Sequence, residues 1–369
     1  MTILSFVLIS LSGFYSVDYL PPPGGVGSEV LAINTRSLGM GGVSVGLPNS
    51  SGFTMLNPAA SAWTLEGGVA FTGRYSESDD AAWDNRLGFP MISAFIPLPA
   101  RIVISGAIEG RSRIDTRLDD VQLEGDWTGD FTWSGGLVET YIGGTLRAND
   151  WLAFSLGGRS TFGNIQSDVD LTSNDSTPPI PINSVYRDDA RFRMAWGATV
   201  GLMINTDRFG CGFSVSTDRK GTLEIDRDFN VTDSADSIRS SGLYTIPGEV
   251  SLGISFRPVD RILVGMDLFR RKTLNILGSR TEEGSIYSVG AEVDAGAGIL
   301  PRCGYSYMDG LWRDGAQTLS AGLGYTFSQA RAGLDLAVGY SNWDDPDDGQ
   351  ESETVFSISL WASEKWLGE

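Results

Sequence analysis

Phe192-Arg193-Met194-Ala195-Trp196-Gly197-Ala198-Thr199-Val200-Gly201-Leu202-Met203-Ile204 is the stretch whose reading decides the fold. Every second residue, from Phe192 through Met194, Trp196, Ala198, Val200 and Leu202 to Ile204, is apolar. The residues between them, Arg193, Ala195, Gly197, Thr199 and Gly201, are small or polar. Successive side chains of a strand point to opposite faces, so this segment is a long strand with one apolar and one small-polar face.

The pattern recurs outward along the chain. Val250, Leu252, Ile254 and Phe256 alternate with Ser251, Gly253 and Ser255; Leu319, Ala321, Leu323, Tyr325 and Phe327 with Ser320, Gly322, Gly324 and Thr326. Ala332 to Tyr340 and Phe356 to Ala362 repeat it. Alternation alone fits a sandwich with one wet face equally well. Two features favour a barrel in lipid. The small-polar face is rich in glycine, which suits a crowded interior better than a free surface. Aromatics lie near strand ends on the apolar face, Tyr305, Tyr307 and Tyr340 at one rim and Phe256, Tyr325 and Phe327 at the other, as the girdles of a membrane barrel require.

The connections sort by length. Leu98–Ala100, Ala148–Asp150, Asn205–Asp207, Pro258–Asp260, Gly296–Gly298 and Ser328-Gln329 read as tight turns, and the alternate connections are mostly long and acidic. Short turns at one rim and long loops at the other are the layout of an outer-membrane barrel. Fourteen strands are expected, at 67–75, 88–97, 101–113, 131–147, 151–163, 190–205, 208–226, 245–258, 261–273, 285–296, 299–308, 316–327, 330–341 and 353–364. The fold class is all-β, an antiparallel transmembrane barrel whose edges must meet, because unpaired N–H and C=O groups are not tolerated in hydrocarbon.

Composition excludes several functions. A net charge of −19 opposes nucleic-acid binding. The chain has no histidine, which removes Ser-His-Asp and Cys-His catalysis and any histidine-ligated metal. No nucleophile–base pair, cofactor motif or metal motif stands out, so neither an enzyme nor a cofactor is expected. The acid of Glu77–Asp80, Asp119-Asp120 and Asp344–Asp348 reads as solvation of exposed loops, with a divalent-cation rim as the alternative. Cys211 and Cys303 sit on the outward face of their strands and read as small lipid-facing residues.

The N-terminal region is expected to divide into an export signal at 1–16, with the apolar run Ile3–Leu11 as its core, an extended linker at 17–32, and an irregular segment at 33–66 before the barrel of 67–369. The glycines at 39, 41 and 42 and the Asn57-Pro58 pair imply sharp turns and close backbone approach, as in a plug inside a barrel mouth.

Arg36-Ser37-Leu38-Gly39-Met40-Gly41-Gly42 and Asn57-Pro58-Ala59-Ala60 resemble the N-terminal signature of FadL-type long-chain fatty-acid transporters and their PorV-like relatives. Pro247–Gly253, Asp267 and Arg302-Cys303-Gly304-Tyr305 are similar to later segments of that family. The resemblance implies a fourteen-stranded barrel of the bacterial outer membrane with an N-terminal hatch. Arg36, Gly39, Gly41, Gly42, Asn57 and Pro58 would then be hatch residues.

In the register above, Arg193, Asp267, Glu292, Arg302 and Asp335 face the lumen. Charges there must be hydrated or paired. They read either as an ion-pair network that anchors the hatch or as a polar track for a substrate head group, Arg193 and Arg302 being the carboxylate partners. Three functions follow: passive uptake of hydrophobic, fatty-acid-like small molecules through a hatch-gated lumen, with ligand and membrane lipid as partners; a PorV-like structural or secretion-associated barrel that docks a protein; or a secreted soluble β-protein.

Overall fold

The computed structural model describes residues 28–29, 34–48, 54–64, 66–78, 86–123, 127–173, 183–231, 234–272, 275–276, 279–280, 283–310, 315–327, 331–345 and 349–364. They form a single antiparallel sheet that closes on itself with fourteen staves. In chain order these are β1 (Gly67–Ser78), β2 (Arg86–Leu98), β3 (Ile102–Leu123), β4 (Trp127–Arg147), β5 (Leu152–Ser173) and β6 (Asn183–Asn205). Next come β7 (Phe209–Ser216 and Arg219–Val231), β8 (Ser234–Ile246 and Glu249–Val259), β9 (Ile262–Arg271) and β10 (Gly284–Val293). The last four are β11 (Ile299–Gly310), β12 (Gln317–Phe327), β13 (Ala332–Asp345) and β14 (Gly349–Glu364). Closure comes from β14 against β1, where Glu364 faces Gly67 and Glu353 faces Ser78. All fourteen expected strands are present. The expected export signal lies outside the described residues. So does the linker, except Ser28–Glu29, which pairs with Ser112–Arg113 of β3.

The tight turns form at one rim for local reasons. After β4, the Asn149 side chain accepts the N–H groups of Trp151 and Leu152 at 2.9 and 2.8 Å, an Asx arrangement that reverses the chain. The outward face between the rims is apolar. Ile142 is 66% exposed, Leu156 65% and Leu319 64%, and Phe71, Ile108, Phe154, Leu252, Phe256, Leu323 and Ile358 share that face. Exposure of so many large apolar side chains in one belt is stable only against lipid. Cys211 and Cys303 are free thiols on the same face.

Strands β3 to β8 continue past the belt, and here the structure departs from the sequence reading. Segments 113–130, 163–189 and 226–244, expected as loops, are largely strand. Irregularities cross these staves together. The register slips between Gly110 and Ser112 on β3, between Thr161 and Gly163 on β5, and between Phe192 and Trp196 on β6. β7 is interrupted at Thr217-Asp218 and β8 at Pro247-Gly248. On β4, Gly135 and Gly136 have φ of +118° and +154°, a conformation that favours glycine. Bulges bend strands and exchange their faces, and above this line polarity inverts. The interior of the extension holds Ile114, Phe131, Trp133, Leu137, Ile165, Phe192, Leu223 and Tyr244, all buried. Its exterior carries ion pairs such as Arg187–Asp168 at 2.5 Å and Arg191–Asp189 at 2.6 Å. Phe192, expected on the lipid face, is therefore in a core, where its ring meets Tyr244 edge-on at 5.1 Å.

Candidate functional site

Three layers occupy the interior. The lowest is the inserted segment, whose described parts are Asn34–Pro48 and Thr54–Thr64. A short helix, α1 (Thr35–Gly39), is capped by Asn34, whose side chain accepts the Ser37 N–H at 2.8 Å. Thr35 shares hydroxyl hydrogen bonds with Ser357 at 2.7 Å and Ser359 at 2.6 Å on β14. The chain then turns through Gly41 (φ +69°) and Gly42 (φ +96°). A Cβ on Gly41 would stand 2.5 Å from the Tyr305 nitrogen, so the backbone lies directly against β11. Gly39 also lies close to the wall, with a virtual Cβ 3.1 Å from the Gly322 Cα. Asn57 donates to the Val45 carbonyl at 2.9 Å and the Leu202 carbonyl at 3.3 Å, and its own oxygen accepts the Ala59 N–H at 3.2 Å. It thereby caps the 3-10 turn Pro58–Trp63, in which Pro58 takes the first position, where no N–H is needed. The Pro58 carbonyl accepts from Thr145 at 3.1 Å.

Charge stitches this segment to the wall. Glu292 accepts two hydrogen bonds from Arg36, at 3.0 and 2.9 Å, and one from Arg302 at 2.6 Å. Arg302 also bonds Asp335, so four expected site residues form one chain from the half-buried Arg36 of the inserted segment to the buried Asp335 of β13. Asp267 stands apart from this chain. Its carboxylate accepts backbone N–H groups from Ser44 at 2.5 Å, Val45 at 2.6 Å and Gly46 at 3.4 Å.

Arg193 does not join them. The slip on β6 turns it outward in the extension, where it bonds Glu224 at 2.6 Å with more than half of its side chain exposed. Its expected luminal position is thus corrected. That hydrogen bond is the main cause holding the Glu224 carboxyl below its ordinary value.

The middle layer escaped the sequence reading. Arg111, Glu139, Arg159, Arg219 and Glu249, from β3, β4, β5, β7 and β8, are all buried at the level of the bend. Arg159 bonds Glu139 and, at 3.0 Å, Glu249. Arg111 bonds Glu249 and lies 3.6 Å from Glu139. Arg219 is fully buried, 3.3 Å from Glu139 and 3.9 Å from Glu249. Three guanidinium groups thus share two carboxylates in a septum across the lumen. Arg159, between Gly157 and Thr161, and Glu249, before Ser251 and Gly253, stand among small residues on the luminal phase of their strands; that isolation was the available signal.

The upper layer is the apolar interior of the extension. Among the described residues no group of carboxylates and thiols is placed to hold a metal ion. The arrangement suits partition of an apolar molecule into the upper layer, with a charged septum and the inserted segment beneath it.

Neither a family model nor a curated protein matches the chain. Solved structures do. A FadL homologue from Pseudomonas aeruginosa is 14% identical with a TM-score of 0.70, over 91% of this chain and 99% of that one. The toluene transporter TbuX from Ralstonia pickettii is 14% identical with a TM-score of 0.67, over 90% and 98%. The monoaromatic hydrocarbon channel CymD is 17% identical with a TM-score of 0.64, over 92% and 99%. The chain therefore has the fold of the FadL-type outer-membrane barrels, the family that its N-terminal motifs resemble.

Proposed function

We propose that this chain is a passive channel of the bacterial outer membrane that takes up hydrophobic small molecules, with the inserted segment as its plug. The observation that carries the reading is the order of the interior layers: an apolar core above the belt, a buried Arg/Glu septum, and then a stitched plug. An apolar ligand that parts this core gains about 25 cal/mol per Å² of its surface removed from water. Neighbours of the same fold are a toluene transporter and a monoaromatic hydrocarbon channel, which supports a hydrophobic ligand and a transport role without catalysis. The septum, not Arg193, is the place where a carboxylate head group would meet guanidinium partners. A secretion-associated barrel that docks a protein gains no support from these likenesses.

The test is binding of a fluorescent long-chain fatty acid and of radiolabelled toluene to detergent-purified protein, followed by uptake into proteoliposomes. Wild type is expected to bind at least one ligand saturably, and deletion of Leu38–Ala60 to abolish slow release. A folded barrel that binds and passes neither ligand overturns the reading.

A further inference from the structure

Glu292, Asp335, Glu139 and Glu249 each meet arginine, whereas among the described residues Asp267 makes no ion pair. It is buried, and its partners are three backbone N–H donors of the plug. The residues paired with it on the flanking strands, Gly253 on β8 and Ser288 on β10, do not ionise. The plug turn against it, Ser37–Leu47, has no ionisable side chain. The luminal charges nearest along the staves are Glu249 and Arg257 on β8, Arg271 on β9 and Glu292 on β10, each four residues along. Of these, Glu249 and Glu292 are engaged with their own arginines.

An ionised carboxylate only accepts, so it satisfies three converging N–H groups. A protonated one carries an O–H on one oxygen and loses the charge that strengthens the bonds to the other, so Oδ2, which accepts both Ser44 and Val45, holds them more weakly. Among the described residues the Ser44 and Val45 N–H groups meet no other acceptor, and buried donors without acceptors are unfavourable. We propose that Asp267 is a proton-operated latch: ionised, it docks Ser44–Gly46 against the wall; protonated, it lets that turn go, so acidity loosens the plug. The inference rests on reading the inserted segment as a plug. It adds that plug opening responds to the acidity around the barrel as well as to ligand.

Amide hydrogen exchange on the purified full-length protein tests it directly. Exchange at Ser44, Val45 and Gly46 is followed over about pH 8 to pH 4, the span that brackets carboxylate titration, and corrected for the intrinsic rate at each pH. Wild-type protection is expected to fall on the order of tenfold across that span, as for loss of one such hydrogen bond. Asp267→Asn is expected to be weakly protected and flat, and Glu224→Gln, in the solvated pair of the extension, to keep the wild-type profile at these three amides. A flat wild-type profile, or a pH-dependent one in Asp267→Asn, overturns the latch. If Asp267→Asn does not assemble, the wild-type profile alone decides. The measurement needs no ligand, so the latch and the uptake reading fail separately.

Discussion

At Gly304 the luminal wall has no room for a side chain, because the Met40 carbonyl carbon occupies the place of a Cβ. Gly290 meets the same residue, and Gly253 meets Val45 and Gly46. Glycine here makes a groove for the backbone of the inserted segment. Gly304→Val is expected to displace that segment and leave the barrel closed: the N-terminal segment becomes cleavable by proteinase K while the barrel keeps its heat-modifiable mobility on a gel. Glu292→Ala leaves Arg36 and Arg302 without their shared carboxylate. Breaking a buried pair of this kind costs about 3–5 kcal/mol, to be read by guanidinium unfolding, and Glu292→Gln, which keeps an acceptor, is expected to lose less. Arg193 and Glu224 are the opposite case, a solvated pair with a lowered glutamate pKa. Any stability it adds is complete above the ordinary glutamate range and is lost as pH falls through the lowered value. Glu224→Gln is expected to leave the melting curve unchanged at high salt, where surface pairs are screened.

At the scale of elements, the decisive event is the change of face along β6. Below the slip, Thr199, Gly201 and Met203 point inward; above it, Phe192, Ala190 and Tyr186 do. The prediction that follows separates two positions of identical chemistry. Phe192→Ala opens a cavity beside Tyr244 and is expected to cost about 3–5 kcal/mol, seen as early proteolysis of the extension. Phe213→Ala, on the lipid face of β7, is expected to leave unfolding in detergent nearly unchanged, since it removes no buried contact.

At the scale of the whole molecule, the strand count was legible because lipid imposes one rule on every stave, apolar outward and small inward. The extension was not, because it stands in water and obeys the reverse rule. Asp168, Asp170, Asp189 and Asp226 therefore read as loop acid when they are the wet face of strands. The luminal candidates were legible as isolated charges on the small-residue phase, and Asp267, Glu292, Arg302 and Asp335 are buried there. Their partners were not legible, since Arg36 and Glu292 lie 256 residues apart and only closure of the ring brings them together. Arg193 misled because alternation cannot register one extra residue.

The septum and the inserted segment also bear on electricity. Met40, Val43, Met55, Asn57, Ala59 and Ala60 of that segment are wholly buried, and above them Arg159, Arg219 and Glu139 are nearly so. Among the described residues this cross-section is packed, which opposes a column of water for ions to follow. Planar-bilayer recordings are expected to show a quiet baseline for wild type and steady current after deletion of Leu38–Ala60. With a quiet baseline, a cell could host many copies of this cylinder without adding an ion leak to its membrane.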